Sequence, residues 1–270
     1  MSSASPTIAV FDSGFGGLTV LRSLLPLIPG ANYLYLGDTA RLPYGAKSRQ
    51  TISRYALSSA AFLLSQGAEM LVVACNTASA LALEDLKTAL PIPVIGVIEP
   101  GTQAAAAFAS DVLVLATSAT VQSNAYSHSC AALGLKAYEK ATPLLVPLIE
   151  EGWIDHPVTA EVLRIYLKEA FTAAPTVSTL VLGCTHYPLI KPLIERTLAE
   201  LNHPMHIVDS ATATALATQE VCHPSRSGGA ASAVENCTFY ATDSIEKFQR
   251  LGSNFLGQPL PEVHLIDLGG

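Results

Sequence analysis

Short, almost wholly apolar runs recur along this chain, and longer amphipathic stretches separate them. The runs are TIAVF (7–11), NYLYL (32–36), EMLVVA (69–74), IPVIGV (92–97), DVLVLA (111–116), STLVLG (178–183), MHIVD (205–209) and NCTFYA (236–241). Their length and β-branched content predict strands. Strands apolar on both faces must be covered on both faces, which is the pattern of parallel sheets flanked by helices. The stretches between carry a helical period. Leu83, Leu86 and Leu90 mark one helix, and Ile190, Leu193, Ile194 and Leu201 another. Pro192 is compatible with the second only if that helix begins beside it, in its first turn.

The order of elements predicts an α/β fold of two similar domains with mostly parallel sheets. Two places suggest where the chain crosses between them. IEPGTQ (98–103) sets Pro100 and Gly101 just after a strand, and VDSATATA (208–215) puts small polar residues after another. The expected division is residues 1–97 plus 209–270 as a discontinuous first domain and 98–208 as the second. HPSRSGGAASA (223–233) reads as a surface loop.

Composition narrows the class. Of 270 residues, half are hydrophobic and 14% charged, enough for a sizeable core and unlike a disordered chain. The net charge is -7 and no Lys/Arg cluster occurs, so no direct nucleic-acid partner is expected. No apolar run reaches the roughly 18 residues of a membrane span. The start, MSSASPTIAV, lacks the basic and apolar regions of a signal peptide. Five cysteines, at 75, 130, 184, 222 and 237, contain no CxxC pair, so neither a disulfide framework nor a structural zinc site is expected. A reduced, cytoplasmic setting fits.

Candidate chemistry gathers where strands end, the place open parallel sheets offer to ligands. The stretches are VFDSGFGG (10–17), LGDTARLPYG (36–45), VACNTAS (73–79) and LGCTHYP (182–188). DSGFGG is neither GxGxxG nor a Walker loop. Asp12 there is a turn cap or a carboxylate that orients an amine or assists an acid/base group. PYG (43–45) reads by itself as a turn.

A buried cysteine is usually inert filler. Cys75 and Cys184 differ in that each ends a strand and is followed by hydroxyl residues at an expected helix start. A helix N-terminus favours the thiolate, and His186 is placed to tune Cys184. Two thiols across one carbon can exchange its proton, one taking it from one face and the other delivering one to the opposite face. That inverts a stereocentre by general acid–base catalysis without a cofactor. A Cys–His hydrolase built on Cys184 and His186 would leave the second cysteine unexplained. Cys130, Cys222 and Cys237 lack this context and read as structural or surface thiols.

Taken together and in order, IAVFDSGFGGLTVL, YLGDTARLPYGAKS, VVACNTASA, PVIGVIEPG, VPLIEEGW and LVLGCTHYPLI resemble the cofactor-independent aspartate/glutamate racemase family over nearly the whole chain. The resemblance implies two α/β domains with the active site in the cleft between them. It implies racemisation of glutamate, with D-glutamate supplied to peptidoglycan and no cofactor or metal. An aspartate racemase or a non-catalytic regulatory relative is the alternative. It further implies that Cys75 and Cys184 serve opposite faces of the α-carbon and that Asp12 stands beside the first thiol. His186 and Glu150 would support the second. Asp12, Ser13, Tyr44, Gly45, Asn76, Thr77, Thr117, Thr120, Thr185 and His186 would contact substrate, and a homodimer is expected. The chain departs from the family in carrying Ala141 and Thr142 where a cysteine is common, and Ala116-Thr117 in place of Gly-Thr. Of the adjacent Glu150 and Glu151, the motif selects Glu150.

Overall fold

The computed structural model describes residues 5–222 and 233–269, so all but the last residue of the expected surface loop at 223–233 lies outside them. Among the described residues, ten strands form two separate sheets. β1 (Thr7–Asp12), β2 (Asn32–Gly37), β3 (Met70–Val73), β4 (Val94–Gly96), β9 (Cys237–Ala241) and β10 (Val263–Leu265) make the first, in the order β10-β9-β2-β1-β3-β4. β5 (Asp111–Ala116), β6 (Lys136–Ala141), β7 (Thr179–Gly183) and β8 (His206–Asp209) make the second, in the order β6-β5-β7-β8. Every pairing in both sheets is parallel.

All eight expected strands form. β6 and β10 are additions. β6, KAYEKA, lies at an edge and is only partly buried, so charged residues break the apolar run that would mark it.

Among the described residues, eleven α-helices connect and cover the strands. They are α1 (Leu18–Leu27), α2 (Arg49–Ser65), α3 (Asn76–Ala89), α4 (Ile98–Ala106), α5 (Ser118–Gln122), α6 (Ala125–Ala132), α7 (Leu145–Glu150), α8 (Pro157–Ala173), α9 (Lys191–Glu200), α10 (Ser210–Cys222) and α11 (Ile245–Leu256). α9 starts one residue before Pro192 and buries Leu193 and Ile194, as its period requires. The stretch 98–103 lies in the connection from β4 of the first sheet to β5 of the second. Ile98–Ala106 is a helix, and Pro100 fits its first turn, where a missing N–H leaves no carbonyl unpaired. VDSATATA likewise runs straight from β8 into α10.

Alternation along β1 sends Ile8 and Val10 into a core that continues into the second sheet, and Ala9 and Phe11 into a separate core beneath α2 and α3. α10 packs on α1 of the first sheet's cover and on α4, and α4 also touches α6, β7 and β8, so the two halves share buried surface.

The topology sets the site. In the first sheet the chain winds from β1 outward to β2 on one side and to β3 on the other. In the second, β5 has β6 on one side and β7 on the other. Such reversals open a crevice beyond the carboxyl ends of the adjoining strands. Cys75 follows β3 and Cys184 follows β7, so each thiol stands at the reversal of its own sheet.

Candidate active site

Both thiols line one cavity of about 650 Å³. Cys75 caps the start of α3, and the Ala78 N–H donates to its sulfur at 3.5 Å. Its own S–H donates to Ser13 Oγ at 3.4 Å. The helix start was expected to favour the thiolate, but the folded protein opposes it. Burial, reinforced by the negative charge of Asp12, outweighs the hydrogen bonds from Ser13 and Ala78 and pushes the thiol up to about 12. Free of ligand, Cys75 keeps its proton at neutral pH.

Cys184 departs from expectation differently. β7 leads into a 3-10 turn, Tyr187–Ile190, and α9 starts only at Lys191, so no α-helix begins at this thiol. Its polar neighbour is His186, with Nδ1 3.9 Å from Sγ. On the far side of the ring, Nε2 lies 3.1 Å from Glu150 Oε1, at the end of α7. Phe255 meets the imidazole edge-on, with ring centroids 4.9 Å apart. Burial opposes the charged ring, but bonds to Cys184 and Glu150 prevail and raise His186 to about 10. Burial also opposes the Glu150 carboxylate, yet the His186 bond and charge, with Lys247 beyond, hold it below its ordinary value. Cys184, His186 and Glu150 therefore form a line with a protonated imidazole at its centre. Glu151 also lines the cavity, and Glu150 is the one that bonds His186.

Asp12 ends β1 but does not line the cavity. It is 1% exposed, accepts from the Gly14 N–H at 2.9 Å, and its Oδ1 finds no partner among the described residues. It caps no helix, since α1 starts after Gly17 without a side-chain cap. Burial raises its carboxyl, opposed by His186 and the N–H groups of Gly14 and Gly17.

The other sequence candidates divide between cavity wall and support. Ser13, Tyr44, Gly45, Asn76, Thr77, Thr117 and Thr185 line the cavity. Thr120, wholly buried, stands behind it and ties Thr117 at 3.0 Å to Thr77 at 3.3 Å, while Thr77 and Thr117 meet at 2.9 Å. Tyr44 and Gly45 of the PYG stretch open a 3-10 turn, Tyr44–Ala46, and the Tyr44 hydroxyl donates to Asp38 Oδ2 at 2.5 Å. Asp38 also holds the Arg41 Nε at 2.7 Å.

Sequence reading passed over several participants. Lys47 and Lys247 reach the cavity. Lys247 comes from α11, far along the chain, with its ammonium 5.6 Å from the Phe15 ring. Thr142, noted above as a departure from the motif, lines the cavity, and its hydroxyl meets the Tyr187 hydroxyl at 2.5 Å. Only that departure from the motif could have drawn attention to Thr142. Cys130, Cys222 and Cys237 are not among the lining residues.

The profile of the Asp/Glu/Hydantoin racemase family matches residues 18–218. A glutamate racemase of Koribacter versatilis is 51% identical over the whole of both chains. Among solved structures, glutamate racemase from Francisella tularensis in complex with D-glutamate superposes with a TM-score of 0.87 at 33% identity, covering 98% of each chain. Glutamate racemase from Thermus thermophilus in complex with β-chloro-D-alanine gives 0.85 at 40% identity, again over 98% of each.

Proposed function

The chain belongs to the Asp/Glu/Hydantoin racemase family, and from that premise we propose that its cavity racemises glutamate by passing the α-proton between Cys75 and Cys184. Racemisation makes it an isomerase, and the D-glutamate formed supplies peptidoglycan. The observation that carries the reading is that one thiol from each sheet lines the same 650 Å³ cavity.

The proton balance requires one thiol and one thiolate. In the free protein Cys75 holds its proton. Cys184 stands beside an imidazole that stays protonated through neutral pH. In one direction the Cys184 thiolate removes the α-proton, and the electron pair left on the α-carbon spreads into the α-carboxylate. Cys75 then delivers its proton to the opposite face, and the two sulfurs end with exchanged protonation. The reverse reaction runs from that exchanged state. The substrate ammonium, set near buried Asp12, offsets the negative charge that raises Cys75. Asn76, Thr77, Thr117 and Thr185 offer hydrogen bonds to the two carboxylates, and the enclosed cavity strengthens each of them. His186, held by Glu150, positions charge beside Cys184 without touching the reacting carbon.

The division into residues 1–97 plus 209–270 and 98–208, with the cavity in the cleft, belongs to this reading, as do a homodimer and a cytoplasmic location. No described helix is long and apolar enough to cross a membrane.

Incubating reduced protein with L-glutamate in deuterated water, without pyridoxal phosphate, should yield D-glutamate labelled at the α-carbon. Absence of exchange would reject the assignment, and faster exchange on aspartate would redirect it to that substrate. Cys75→Ala and Cys184→Ala should each abolish racemisation. Near-normal turnover by either variant would overturn the two-thiol mechanism.

A further inference from the structure

The racemase reading leaves open what in the cavity wall would tell a carboxylate from the amide of nearly the same shape. Asn76 opens α3, lines the cavity and is 3% exposed. A side-chain amide has a donating end and an accepting end. The accepting end of Asn76 is occupied, because its Oδ1 takes a 2.6 Å hydrogen bond from the Tyr126 hydroxyl. The donating end is free, because Nδ2 is buried and meets no partner among the described residues. A buried donor without a partner is costly unless something arrives to accept from it.

Tyr126 is wholly buried on α6, in the half of the chain that carries the second sheet, whereas Asn76 follows β3 of the first. Burial, with Cys184 nearby, pushes its phenol well up, so the hydroxyl remains a donor at any working pH. The bond therefore has one sense. The O–H gives, the amide oxygen accepts, and the amide is held with its NH2 end unpaired.

We propose that Tyr126 is a positioning residue that sets carboxylate specificity. By occupying Asn76 Oδ1, it leaves the substrate only N–H donors at this point of the wall. A carboxylate presents an accepting oxygen whichever way it turns. A carboxamide does so in one orientation and otherwise sets donor against donor. The inference rests on the racemase reading and adds to it a residue that touches neither substrate nor either sulfur by hydrogen bond.

Tyr126→Phe removes one hydroxyl and frees the Asn76 amide to turn. The test measures kcat/KM for L-glutamate, L-glutamine and L-isoglutamine by deuterium incorporation at the α-carbon. Where an amide does not turn over, its inhibition constant against glutamate is used instead. In the variant, glutamate should fall about tenfold, mostly through KM, the scale of one lost hydrogen bond. One of the two amides should not fall with it, so the glutamate-to-amide ratio shrinks about tenfold. That ratio, taken on a single preparation, is independent of the fraction folded. Equal losses on all three compounds, leaving both ratios within about twofold of the unmodified protein, would show that Tyr126 is only structural and overturn the proposal.

If Tyr126→Phe does not fold, Asn76→Asp answers the same question. Tyr126 then holds one carboxylate oxygen and the other takes the place of the donor, so glutamate should lose at least about 100-fold and the responsive amide distinctly less. Equal losses again overturn the proposal. Failure of the unmodified protein to exchange glutamate would remove the racemase reading and this inference with it, whereas normal exchange with an unaltered ratio removes this inference alone.

Discussion

Replacing Gly16 with alanine tests the site geometry through a single methyl group. A Cβ at Gly16 would lie 2.1 Å from Thr185 Oγ1 and 2.6 Å from His186 Nδ1. To regain the 3.4 Å of ordinary contact, the Thr185 hydroxyl must retreat by about 1.3 Å. Rotating Thr185 about its Cα–Cβ bond puts either its methyl there, which relieves nothing, or its hydrogen, which takes the hydroxyl away from its present place in the cavity wall. The His186 ring is held from its other side by Glu150 at 3.1 Å. The displacement therefore falls on two cavity residues, one of them beside Cys184. Misplacement by about 1 Å costs on the order of 100-fold in rate, and overpacking costs about 1–3 kcal/mol of stability. The assay follows D-glutamate formation by circular dichroism, with a thermal melt to report stability. Gly30→Ala is the control, since nothing lies within 4 Å of a Cβ there; it should be active and as stable as the parent. A Gly16→Ala protein that melts normally and racemises within about threefold of the parent would refute the packing of Gly16 against Thr185 and His186.

Glu150→Gln should act through pH. His186 is raised from 6.5 to about 10, so its stabilisation is complete below 6.5 and disappears as pH climbs through 10. Glu150 is lowered from 4.5, so its contribution is present above 4.5 and lost as pH falls through the lowered value. The variant should melt below the parent near pH 6.5, the gap should close above pH 10, and the alkaline limb of kcat should move toward neutrality; an equal gap at both pH values would count against the pairing. Lys247→Gln removes a cation at the cavity of an acidic chain. It should raise the KM for glutamate a few-fold at low salt, with the difference fading at roughly 0.5 M salt; a salt-independent effect would rule out an electrostatic role.

Strand positions, parallel pairing and the small-residue corners at Cys75 and Cys184 were legible in the sequence, because apolar runs and strand-to-helix turns are local properties of the chain. The candidate substrate contacts were readable chiefly through motif resemblance, and most of those residues line the cavity. β6 escaped because an edge strand need not be apolar, and the helix at Ile98–Ala106 escaped because a proline suits a helix's first turn as well as a loop.

The chemistry at each corner was not local. The helix start at Cys75 argues for a thiolate, yet burial beside Asp12 pushes that thiol the other way. Desolvation depends on what the rest of the fold packs overhead. Likewise the raised pKa of His186 comes from Cys184 together with Glu150, 36 residues earlier in the chain, and Asn76 owes its orientation to Tyr126, 50 residues later. The sequence by itself determined which residue types stand where strands end. Tertiary structure decided their charge, their facing and their partners, because those depend on dielectric and on contacts between segments that are neighbours only after folding.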